Sequence, residues 1–118
     1  MVRAAMWHRV ELFALEKEQQ LEELDVADGW DQDRWADALD DFFDTYDHVV
    51  IEDRARSPRL LRIEEESRQW RVTQTVMDPD ENNDFVLQAI VDLEETDDAG
   101  ELVLHMEYAG DLAKAPWR

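Results

Sequence analysis

The sequence predicts an α+β fold in which two N-terminal helices pack on one face of a four-stranded antiparallel sheet. Apolar residues recur at three- and four-residue steps as far as Tyr46, and from Leu61 onward they alternate with polar ones. Short segments rich in Asp, Asn, Pro and Gly separate the alternating runs, so consecutive strands are expected to pair as hairpins. A chain of 118 residues suits one domain, and amphipathic helices preceding such a sheet must bury their stripes against it.

Residues 1–28 are expected to form the first helix. Val2, Met6, Val10, Phe13, Leu21 and Leu24 supply its stripe, interrupted only around Lys17, and Asp28-Gly29 supplies the stop. The second helix spans 30–47. Asp31 is placed to cap its first turn, and Trp35, Leu39, Phe42, Phe43 and Tyr46 form its apolar side. Its other side carries Asp37, Asp40, Asp41 and Asp44, which suit a solvated face. Val49-Val50-Ile51 then forms an extended connector that packs down before Pro58.

The sheet is expected over 59–109. Leu61 and Ile63 begin it, Ser67-Arg68-Gln69 turns the chain, and Trp70, Val72, Gln74 and Val76 line one face of the second strand. The segment Asp78 to Asp84 is turn chemistry throughout, followed by Phe85, Leu87, Ala89, Val91 and Leu93 in regular alternation. Glu95 to Gly100 is expected to be the last hairpin loop, with Leu102, Leu104, Met106 and Tyr108 facing inward after it. Residues 110–118 form a loose tail from which Trp117 can pack back.

Composition excludes several functions. A net charge of -19, with no lysine or arginine from Val72 through Ala113, repels phosphate and makes direct nucleic-acid binding unfavourable. Without cysteine there is neither a disulfide framework nor a thiolate metal site. No apolar run is long enough to span a bilayer, which leads us to expect a soluble, cytoplasmic protein. Glycine occurs only at Gly29, Gly100 and Gly110, so no glycine-rich phosphate loop can form. His8, His48 and His105 lie far apart, and Ser57 and Ser67 lack a nucleophile elbow. The alternation of Asp78, Asp80, Asn82 and Asp84 imitates a calcium loop, but Asn83 and Ala89 stand where that loop needs Gly and Glu. We therefore expect no catalytic residues, no metal and no cofactor.

Two candidate surfaces remain. Half of the twelve basic residues, Arg54, Arg56, Arg59, Arg62, Arg68 and Arg71, fall within eighteen positions. The first four form a candidate docking strip, although Glu52, Asp53 and Glu64 to Glu66 nearly cancel its charge. Gln74 shares a strand face with apolar residues and must be hydrogen-bonded if buried. If the sheet curls around the helices, Gln74, His105, Trp30 and Trp35, with Tyr46, would line a pocket.

Several stretches form a familiar set. They are Arg9-Val10-Glu11-Leu12, Gly29-Trp30-Asp31 with Arg34-Trp35, Trp70-Arg71-Val72-Thr73-Gln74 followed by Asp78-Pro79, and Val91-Asp92-Leu93 leading to Asp97-Asp98-Ala99-Gly100-Glu101. In order and spacing, from about Arg3 to Leu112, the chain resembles the uncharacterised domain at the C-terminus of actinobacterial DEAD/DEAH-box helicases of the Ski2-like superfamily 2 type. That resemblance implies a non-catalytic accessory module whose partner is a helicase core or another protein, and it supplies no catalytic residues to carry over. Where relatives tend to have a glycine-rich connector after the second helix, this chain has Val49-Val50-Ile51-Glu52-Asp53-Arg54. The order of helices and strands is also similar to the NTF2-like or cystatin-like arrangement, a curved sheet wrapping a helix, which admits a small-molecule pocket or a homodimer.

Overall fold

The computed structural model describes all of residues 1–118 and has the expected layers, with helices preceding a four-stranded antiparallel sheet that does not close. The first helical region is two helices, α1 (Val2–Ala14) and α2 (Glu18–Asp25). The break comes at Glu16, whose φ of 54° is left-handed. Lys17 N–H donates to the Leu12 carbonyl at 2.9 Å and Glu16 N–H to that of Phe13 at 3.0 Å. This is the paired bonding that closes a helix C-terminus, here with Glu where Gly is usual. A 3-10 turn, Val26–Asp28, then leads to Gly29 at φ 88°.

Helix α3 (Gln32–Phe43) starts as expected, with the Asp31 carboxylate accepting from Arg34 N–H at 2.9 Å. It ends before residue 47, and Tyr46 is buried from the segment that follows. Val49 and Val50 pack down as expected, Val50 N–H reaching the Met77 carbonyl at 2.9 Å, whereas Ile51 is half exposed.

The strands are β1 (Leu61–Glu65), β2 (Gln69–Val76), β3 (Phe85–Asp92) and β4 (Leu104–Asp111), in spatial order β1-β2-β3-β4. Val72, Gln74 and Val76 are buried on one face of β2, as the alternation requires. The expected loop at 95–100 is instead helix α4 (Leu93–Ala99), capped by the Asp92 carboxylate on Glu95 N–H at 2.9 Å and ended by Gly100 at φ 72°. In β4 a bulge takes in Glu107, because Met106 pairs with Ala89 but Tyr108 pairs with Gln88. Tyr108 is thereby displaced from the inward series that Leu104 and Met106 begin. The tail is also less loose than expected, since β4 runs to Asp111 and a 3-10 turn, Leu112–Lys114, carries the chain back to the sheet.

Twenty-five buried residues form one core. Phe13 lies at the junction of its layers, 5.9 Å from the Phe42 ring on α3 and 5.5 Å from Phe85 on β3, centroid to centroid. Edge-on and tilted contacts of this kind suit the aromatic quadrupole. No helix is long and apolar enough to cross a membrane.

Candidate functional site

At the end of the sheet where β3 begins and β4 finishes, the layers part around a cavity of about 340 Å³. Phe42 and Phe85 form its apolar floor, Tyr46 and Tyr108 its aromatic walls, and Asp41, Asp84 and Asp111 its carboxylate rim, with Lys114 beside them. Helix α3, strands β3 and β4, the 3-10 turn after β4 and the loops holding Tyr46 and Asp84 supply these groups. The C-terminal turn of α3 brings Asp41 and Phe42, and the bulge in β4 sets the register that carries Tyr108 and Asp111 to the rim.

The loop between β2 and β3 is ordered by Asp78. Its fully buried carboxylate accepts from the backbone N–H groups of Asp80, Asn82 and Asn83 at 3.1, 3.0 and 2.9 Å. The residue that imitated a calcium ligand is thus turned onto amides, and no three His, Asp or Glu side chains are grouped to hold a metal. With the loop fixed, Asp84 accepts the Tyr46 hydroxyl at 2.7 Å, and that hydroxyl accepts from the Asn82 amide at 3.1 Å. Across the cavity the Tyr108 hydroxyl donates to the Asp111 carbonyl at 2.7 Å.

Both phenols titrate above their ordinary value of 10.0. Burial is the main cause for Tyr46, reinforced by the hydrogen bond to Asp84 and the charges of Asp78 and Asp84, and opposed by Asn82. For Tyr108 burial again leads, followed by the charges of Asp111 and Asp41. The shifts keep both phenols in the neutral, hydrogen-bond-donating form. What the cavity offers is carboxylates beside aromatic side chains, with one cation, Lys114, already at its edge.

Of the expected pocket residues, Trp30 and Trp35 meet in the core, and none of Trp30, Trp35, Gln74 and His105 lines this cavity. Trp30 is buried, its indole N–H donating to the Met106 carbonyl at 3.1 Å, with Trp35 at 4.7 Å between ring centroids and the Arg34 guanidinium 3.8 Å above its ring. Trp35 is wholly enclosed in the core and its N–H has no partner. Gln74 donates its amide to the carbonyls of Leu60 at 3.2 Å and Thr75 at 3.0 Å, a structural role beside β1. His105 sits half-buried on β4, held by Asp28 and Glu95. Of the group considered with them, only Tyr46 lines the cavity described here.

The arginine strip is dispersed by its own neighbours. Arg54 pairs with Glu81 at 3.1 Å and Glu52 at 3.6 Å, and Arg62 with Glu64 at 2.7 Å. Arg56 lies 5.6 Å from the centroid of the Trp7 ring, and Arg59 is exposed. Apart from Tyr46, the cavity residues look ordinary in their own segments, Asp41 as part of a solvated helix face and Asp84 as a turn residue.

No curated protein and no solved structure matches the chain. Residues 1–108, which hold both helical and strand layers and every sequence landmark from Arg9 to Glu101, match a family described as a domain of unknown function, and the chain belongs to that family, DUF3516.

Proposed function

We propose that this domain is a non-catalytic accessory module of the cytoplasm that docks a protein partner, accepting an arginine or lysine side chain of that partner in the carboxylate-rimmed cavity. The observation that carries this reading is the cavity itself, in which Asp41, Asp84 and Asp111 surround the Tyr46 and Tyr108 walls. A guanidinium or ammonium group entering it gains charge and ring contacts together, and the surrounding acidic surface would steer a basic partner toward it. The resemblance to helicase C-terminal domains makes a DEAD/DEAH-box helicase core the first partner to test. The chain's net charge disfavours RNA as the direct ligand.

The test measures binding of a purified helicase core by calorimetry at low and high salt, for the wild type and for Asp41→Asn combined with Asp111→Asn. Affinity is expected to fall as salt rises, and the double variant to bind at least about tenfold more weakly with a shallower salt dependence. Binding that ignores both salt and the double substitution would sink the proposal, as would no binding at low salt.

A further inference from the structure

The face of the sheet turned away from Phe13 is not bare. Thr73 on β2 and Gln88 on β3 are paired neighbours there, and both are buried, Gln88 completely. Trp117 is seated on them. Its indole N–H donates to the Thr73 hydroxyl oxygen at 3.1 Å, and its carbonyl accepts from the Gln88 amide at 2.6 Å. The Arg71 guanidinium lies 5.7 Å from the centroid of the indole ring. One side chain and one backbone group of the same residue are thus both recognised.

Three further features distinguish this seat from ordinary packing. Thr73, Gln88 and Arg71 lie within the family domain of residues 1–108, whereas the tryptophan that fills the seat lies beyond it. The occupant also leaves the seat partly unsatisfied, because the Gln88 side-chain oxygen is buried without a hydrogen-bond partner, an arrangement that carries a desolvation cost. Finally, Arg118 follows Trp117 directly, so the occupant carries a positive charge next to its tryptophan.

We propose that the outer face of β2 and β3 is a docking groove for a short, basic, extended peptide segment bearing a tryptophan, and that residues 115–118 occupy it in cis. A segment from a partner replaces the tail by making the same two hydrogen bonds, and a backbone N–H further along it can satisfy the free oxygen of Gln88. Because the tail is tethered at the Leu112–Lys114 turn, it competes at the millimolar effective concentration of a short linker. The groove is distinct from the cavity that takes a cationic side chain, and neither proposal depends on the other.

The test uses the full chain carrying Trp117→Ala and, as probe, the blocked peptide Lys-Ala-Pro-Trp-Arg, followed by nuclear magnetic resonance at the Thr73 and Gln88 backbone amides and the Gln88 side-chain amide. Saturable shifts are expected at those groups, with affinity at least about tenfold weaker for the wild type, whose own tail competes. The same peptide with alanine in place of tryptophan is expected to give none. As an independent check, Thr73→Val frees the tail and speeds tryptic cleavage after Lys114 severalfold. The proposal is overturned if the two peptides act alike, if Trp117→Ala shows no saturable shifts at millimolar peptide, or if that variant fails to fold, which would make Trp117 a core element and not a replaceable occupant. Unchanged tryptic cleavage in Thr73→Val would also count against it.

Discussion

Arg9 and Asp25 are both buried, and each is nearly useless to the fold without the other. Arg9 Nε and Nη2 meet the two oxygens of Asp25 at 2.8 and 2.6 Å, a parallel pair of bonds between α1 and the end of α2, and Arg9 Nη1 also reaches the Ala5 carbonyl at 3.0 Å. Removing one partner strands a charge in the interior, so Asp25→Ala is expected to lower unfolding stability by about 3–5 kcal/mol in urea titrations. Replacing both with apolar residues of similar volume, Arg9→Met with Asp25→Leu, is expected to restore most of that loss. His105 makes a weaker clasp of a different kind. Its Nδ1 lies 2.7 Å from Asp28 and its Nε2 3.0 Å from Glu95, so both contacts are hydrogen bonds only when the ring is protonated. The bond to Asp28 is the main cause that raises its pKa above 6.5, helped by Glu95 and opposed by burial. With the folded pKa above the unfolded one, the clasp's stabilisation is complete below pH 6.5 and is lost as pH rises through the folded value. His105→Gln should therefore lower the thermal midpoint more at about pH 5.5 than at about pH 9. Equal losses at both would show that the protonated ring contributes nothing.

At the scale of elements, the sequence was legible where side-chain pattern decides structure and opaque where backbone geometry does. The period-two runs placed β2 and β3 correctly, and Asp31 marked the start of α3, because burial of one face and capping of free amides are written in residue type. The break between α1 and α2 was hidden because Glu16 occupies a left-handed position that glycine would have announced. Glu16→Gly relieves that conformation and is expected to raise unfolding stability by about 0.5–1 kcal/mol, measured by chemical denaturation. A decrease would show that the Glu16 side chain contributes more than its backbone costs. Helix α4 did leave a signal in Asp92 and Glu95, spaced as a capping box, with Gly100 at the end. The acidity of Glu94 to Asp98 masked it as a loop. The candidate cavity was less legible still. A one-residue bulge at Glu107 decides which β4 side chains reach it, and no residue type in that strand signals a bulge.

For the whole molecule, charge is the dominant fact, and it acts on folding and on the proposed docking with opposite sign. The 31 acidic residues against 12 basic ones leave a net charge of -19, and most of the carboxylates are exposed, so the folded chain repels itself. Dissolved salt shortens the range of that repulsion to about 10 Å at 0.1 M and less above it. Raising sodium chloride from about 10 mM to about 0.5 M should therefore increase the thermal midpoint, by about 5 °C if the relief is near 1 kcal/mol. The same salt should weaken the proposed docking of a basic partner to the cavity around Asp41 and Asp111, since that contact would be an attraction between exposed charges. The loss caused by Asp25→Ala should change little between the two conditions, because its pair is shielded from mobile ions by burial. Thermal melts of the wild type and Asp25→Ala across this range separate the terms. A wild-type midpoint that falls with salt would mean that surface ion pairs such as Arg62–Glu64 and Arg54–Glu81 outweigh the excess negative charge in holding the fold.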